Sequence, residues 1–222
     1  MSKATERRQR LRDALISAAE RTIETDGLSG LKARALAEEV GCALGAIYNV
    51  VTDLDDLVVE VNSRTLAALE RDLAVPEQIA DAAKRVDPVD RLVRLGTAYL
   101  TFAAAHRLRW RALFEHRLPE GKSIPEQYIR DQRRLFRYVE EPLGELQPQL
   151  SGERRALVAR SLFSAVHGMV MLGLEEKLQA VPSKYLREQI AFIVSAIGRG
   201  MLAEASNVAL PLRSRSLRRR AT

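Results

Sequence analysis

Apolar residues recur at helical spacing along almost the whole chain, and no window shows the sustained alternation or β-branched enrichment that strands require. The fold class is therefore all-α. The first stripe, Leu11, Ala14, Leu15, Ala18, Ala19, Thr22 and Ile23, predicts a helix from about Arg7 to Thr25, stopped by Asp26 and Gly27. A second short helix, Lys32 to Val40, carries Ala33, Leu36, Ala37 and Val40 inward and closes on Gly41, the place of a C-cap glycine. A third covers Ala43 to Val50, with Ile47 and Val51 turned towards the first two.

Asp53 suits the N-cap of a fourth helix running to about Leu73, followed by a looser segment, Ala74 to Asp87. Pro88 and Asp90 open a central helix to Ala105, and a short one follows from Leu108 to His116. After a loop with two prolines and a glycine comes a helix from Glu126 to Glu141, ended or kinked at Pro142. Two long helices, Gly152 to Gln179 and Ser183 to Ala205, flank a break at Val181 and Pro182, making nine in all. The expected organisation is a three-helix domain over residues 1–53, a helical body over 54–206 and a basic, disordered tail over 207–222.

Charge supports a partner at one end. The net charge is +6, and Arg213, Arg215, Arg218, Arg219 and Arg220 supply five of those charges, so the body is nearly neutral. A second basic cluster, Lys3, Arg7, Arg8, Arg10 and Arg12, precedes the three-helix unit and suits phosphate contact. The opening segment lacks the apolar core of a secretory signal, and no run reaches a membrane span, because Ser161 to Leu174 already contains His167 and two glycines; a cytoplasmic protein is expected. One cysteine, Cys42, excludes an internal disulfide.

Two short helices joined at a glycine, the second with a small-residue face, match the geometry of a helix-turn-helix reader of double-stranded DNA. Asn49 is suited to reading adenine and Tyr48 to reaching phosphate, while Lys32 and Arg34 stand at the start of the second helix. The candidate DNA-contacting set is Lys32, Arg34, Ala43, Leu44, Gly45, Ala46, Tyr48 and Asn49. Close helix packing accounts equally well for the small residues.

The stretch GLSGLKARALAEEVGCALGAIYNVVTDLDDL, Gly27 to Leu57, resembles the N-terminal domain of the TetR family, with Gly27, Leu36, Ala37, Gly41, Gly45, Ile47, Tyr48 and Leu57 in the family's pattern. His167-Gly168 looks like the subgroup named for a Trp-His-Gly motif, with Val166 in place of tryptophan. Lys32 and Ala43 replace capping residues, Val51 a phenylalanine, and Leu54 a phosphate-binding lysine. The resemblance implies a transcriptional repressor that is released from a palindromic operator when a small-molecule inducer enters the body and swings the fourth helix.

Tyr99, Phe102, Trp110, Phe114, Phe163 and His167 are the candidates to line such a ligand pocket; each would equally suit an ordinary core. Homodimerisation is expected through the last two helices. There Leu186, Ile190, Ile193, Ile197 and Met201 form one face, Phe192, Ala196 and Gly200 another, and Ser164, Ala165, Gly168, Gly198 and Gly200 allow close approach. No metal site, cofactor site or catalytic motif is legible, so no enzyme is expected. A helical protein-interaction adaptor with a degenerate reading head is the alternative.

Overall fold

A computed structural model describes residues 2–82, 86–176 and 181–209. Nine α-helices and no strand occur among them: α1 (Lys3–Asp26), α2 (Ala33–Val40), α3 (Leu44–Ile47), α4 (Leu54–Ala82), α5 (Pro88–Ala105), α6 (Arg107–Glu115), α7 (Glu126–Leu146), α8 (Gly152–Glu175) and α9 (Leu186–Ala209). Single 3-10 turns over Leu28–Gly30 and Ser183–Tyr185 precede α2 and α9. The basic tail from residue 210 onward, and the expected end of the eighth helix at Gln179, lie outside the described residues.

Local chemistry sets most helix ends. The Ser2 side chain accepts from the Thr5 amide at 3.3 Å and Ser151 from that of Arg154 at 3.3 Å, each capping an orphan donor of the first turn. Asp87 accepts from Val89 at 2.7 Å, with Pro88 at the first position, where its missing N–H costs nothing. Gly41 ends α2 in the left-handed region, φ 72°, which a residue with a Cβ enters at a cost.

Three expectations are corrected. The fourth helix does not stop near Leu73 but runs to Ala82. The seventh passes through the buried Pro142 to Leu146, because Leu143 and Leu146 anchor its last turn in the core and offset the lost hydrogen bond. The third is a single turn that ends at Ile47. Beyond it the amides of Asn49 and Val50 bond three residues back, to Ala46 and Ile47, where Asn49, Val50, Val51 and Thr52 are weak helix formers.

Two cores result. One joins α1, α2, α3 and the start of α4 through Leu15, Ala19, Ile23, Leu36, Ile47 and Leu57; the other surrounds α5. On α9 the buried residues are Leu186, Ile190, Val194 and Gly198, an i, i+4 row, rather than the expected row through Ile193 and Ile197. Ile197 is exposed beside Phe192. Glycines decide this rotation: Gly96 sits under Ile190, Gly173 under Leu186, and Gly198 against Val89, so Gly198 serves the core and not the outer face.

The α8 segment Gly152–Leu174 is long and apolar enough to cross a membrane by length and composition, contrary to the reading of the sequence. In the fold it packs against α5, α7 and α9 while leaving Leu157 and Leu172 exposed. Substituting Gly173→Val forces a branched side chain into the Leu186 contact and should lower stability by about 2 kcal/mol, read as a lower denaturation midpoint at unchanged helical content.

Candidate DNA-reading head and ligand cavity

The outer surface of α3 and the turn after it is built from Leu44, Gly45, Tyr48 and Asn49, all exposed, with Tyr48 at 53% the most open of its large side chains. Ala43 is exposed and Ala46 partly buried. A Cβ at Gly45 would meet nothing within 4 Å, so this surface is bare of bulk and admits a close approach by another molecule. Lys32 and Arg34 are exposed at the start of α2. Neither Lys32 nor Ala43 caps its helix with a side chain, which leaves the first amides of α2 and α3 without a side-chain acceptor.

The basic cluster at the chain's start forms the first turns of α1. Arg8 and Arg12 border a surface cleft of about 430 Å³ together with Tyr48, Asn49 and Thr52. Arg12 is held by Glu60 at 2.5 Å and Arg10 by Glu6 at 3.5 Å, while Lys3, Arg7 and Arg8 face solvent.

Directly behind the head, the first turn of α4 is capped reciprocally. Asp53 accepts from the Asp56 amide at 3.1 Å, and Asp56 reaches back to the Thr52 amide at 2.8 Å. The loop before α7 clasps the same turn: Lys122 Nζ lies 2.5 Å from Asp53 and 2.8 Å from Asp56, and His116 Nε2 lies 2.7 Å from Asp55. The lysine's hydrogen bond holds the Asp53 carboxyl below its ordinary value of 3.8. Burial pushes the Asp56 carboxyl up, but Lys122 and the Thr52 amide outweigh it and leave it lowered as well.

Farther along α4, Leu66, Leu69 and Leu73 form one wall of an apolar cavity of about 260 Å³, closed by α5, α7 and α8. Of the six residues expected to line it, Tyr99, Phe114 and Phe163 do so. Phe102 and Trp110 are not in the lining: both are 1% exposed, Phe102 packing on His106 and Trp110 behind Tyr99. His167 also stands behind the wall, its ring 5.5 Å from Phe163 and 4.1 Å from Phe114. The wall residues Tyr128, Gln132, Leu135, Phe136 and Val139 on α7 escaped the sequence reading, although their i, i+4, i+7 spacing is an amphipathic stripe that marks the inner face of that helix.

Residues 92–195, which run from within α5 into the first part of α9, match the model of the tetracyclin repressor-like C-terminal domain. The body is thus of the TetR C-terminal type. Solved TetR-fold structures agree in shape. A protein of unknown function from Rhodococcus sp. RHA1 superposes with a TM-score of 0.64 at 23% identity, covering 87% of this chain and 94% of its own. RolR in complex with the ligand resorcinol gives 0.62 at 16% identity, covering 94% and 97%. A TetR-family transcriptional regulator from Streptomyces coelicolor gives 0.55 at 18% identity, covering 94% and 90%. No curated protein matches the sequence.

Within this TetR-family body a chain of three polar groups crosses the core. Trp110 Nε1 donates to the Tyr99 hydroxyl at 2.8 Å, and that hydroxyl meets His167 Nδ1 at 2.7 Å. An indole can only donate, so the Tyr99 oxygen accepts from Trp110, and the direction of the Tyr99–His167 bond follows the His167 tautomer. Burial lowers the His167 pKa from its ordinary 6.5, which favours the neutral imidazole, and raises that of Tyr99.

Tyr99→Phe strands the Trp110 N–H and should cost about 1–2 kcal/mol in denaturant unfolding. The neutral His167 contributes stability that is present above pH 6.5 and lost as pH falls below it, because the unfolded chain then binds the extra proton. Unfolding midpoints between pH 7 and 5.5 should therefore drop more steeply in the parent than in His167→Gln. The Asp53 and Asp56 contributions survive until pH falls below 3.8.

Proposed function

We propose that this chain is a TetR-family transcriptional regulator, a cytoplasmic homodimeric repressor that binds a palindromic operator and is released by a small-molecule ligand. The observation that carries this reading is the double duty of α4: near its start Leu57 is buried in one core with Ile47 of α3 and Asp56 borders the same cleft as Tyr48 and Asn49, and Leu66, Leu69 and Leu73 farther along wall the cavity. A ligand that reshapes the wall acts on the same rigid element that orients the head. RolR, of the same fold, carries resorcinol, which supports a small-molecule role for the body.

In this reading Tyr48 and Asn49 meet the DNA, with Lys32, Arg34 and Arg8 on phosphates. The partner protomer covers the apolar outer faces of α8 and α9, where Leu157, Leu172, Phe192, Ile197 and Leu202 are exposed and Gly168 and Gly200 are open to close approach.

The test is a gel shift with DNA from upstream of the chain's own gene and of its neighbours. Asn49→Ala should weaken operator binding by about 1–3 kcal/mol, as loss of a base contact does. Lys32→Ala should lower the dependence of log affinity on log salt by about 0.9, as loss of a phosphate contact does. Absence of binding to any fragment at low salt, with a protein partner co-purifying, would instead support the adaptor reading. Phe192→Arg places a charge on the outer face of α9 and should yield monomer in analytical ultracentrifugation without loss of helical content; an unchanged dimer would remove α9 from the interface.

A further inference from the structure

The cavity wall is uncharged. Its described lining is aliphatic or aromatic except for Gln132 and the hydroxyls of Tyr99 and Tyr128, and none of these groups ionises near neutral pH. The Tyr99 hydroxyl is already engaged by His167, and one of its lone pairs is taken by Trp110. The charged residues Glu70, Asp131 and Arg134 of the walling helices are not in the described lining and pair with one another: Arg134 lies 2.7 Å from Glu70 and 3.2 Å from Asp131, and Gln127 also donates to Asp131 at 2.7 Å. What the cavity offers a guest is one polar point, the Gln132 amide, exposed on α7 and hydrogen-bonded to the Tyr128 hydroxyl.

An ion carried into such a site loses its hydration and finds no counter-charge, so it must neutralise before it enters. Size narrows the guest further: an apolar protein cavity of about 150 Å³ holds benzene, so 260 Å³ suits roughly ten non-hydrogen atoms. Resting on the ligand-release reading of this same cavity, we propose that its ligand is an uncharged, largely apolar molecule of that size with a single hydrogen-bonding group. That group lies at Gln132, the apolar body lies among Leu95, Phe136 and Phe163, and carboxylates and amines are turned away.

Three probes with one skeleton test this on the full chain by titration calorimetry: 4-phenylbutan-1-ol, 4-phenylbutanoate and 4-phenylbutylamine. The alcohol should bind. At about pH 7.5 only about one carboxylate in a thousand is protonated, so 4-phenylbutanoate should bind about a hundredfold or more weakly than the alcohol. Its affinity should rise about tenfold for each unit that pH is lowered towards 5.5, while that of the alcohol stays flat. The amine should be as poor a ligand as the carboxylate. Gln132→Arg, at an exposed position, should shift preference towards the carboxylate by at least about tenfold. Leu135→Trp fills the cavity and should abolish binding of the alcohol.

The proposal is overturned if the carboxylate or the amine binds as tightly as the alcohol, if the carboxylate shows no pH dependence, if Leu135→Trp retains the alcohol, or if the alcohol fails to bind at about 1 mM. A parallel gel shift separates the two readings. Operator that stays bound while the alcohol occupies the cavity counts against ligand release, and the chemical class of the guest stands.

Discussion

The whole molecule hangs on α6, which is shared by both hydrophobic cores. Trp110 is buried in the body and Ala112, two residues on, is buried among the residues of the head, each 1% exposed. Two steps along a helix turn the side chain by about 200°, so one short element presents opposite faces to the two parts. The Asn62 amide of α4 donates to the Ala112 carbonyl at 3.3 Å, and Arg109 binds Glu20 of α1 at 2.8 Å and Thr65 of α4 at 3.2 Å. Magnitudes rank these contributions. Truncating a buried tryptophan typically costs about 3–5 kcal/mol, whereas a partly exposed ion pair is worth about 1 kcal/mol or less. Burial therefore joins the head to the body, and the charged contacts orient it.

How far the sequence could be read follows from the range of each interaction. The apolar stripe of α1, the glycine stop at Gly41 and the Asp53 cap depend on residues within a turn or two, and all were legible. So was the central burial of α5. The clasp of Lys122 on Asp53 and Asp56 joins groups separated by more than sixty positions, and nothing in the local pattern of either segment announces the other. The rotation of α9 was misread for a related reason: Ile197 and Val194 are equally apolar, and only the glycines on and against that helix decide which one faces inward. The cavity wall on α7 was hidden among the four arginines and the acidic residues of the same helix.

The head is held together differently from its sequence pattern. Without side-chain caps on α2 and α3, the eight residues of α2 and the single turn of α3 gain little from their own hydrogen bonding. Leu36, Ala37, Ile47, Val50 and Val51 supply the hold, all of them buried against α1 and α4. Without side-chain acceptors at their starts, α2 and α3 depend on this burial for their place in the head.

The length of α4 sets a mechanical scale. Its 29 residues span about 43 Å at 1.5 Å per residue, with the reading head at one end. A tilt of only about five degrees over that length displaces the far end by about 4 Å. Paired reading surfaces must meet successive major grooves about 34 Å apart. In the proposed ligand-release reading, the longer the arm, the smaller the rearrangement at the cavity needed to spoil that spacing.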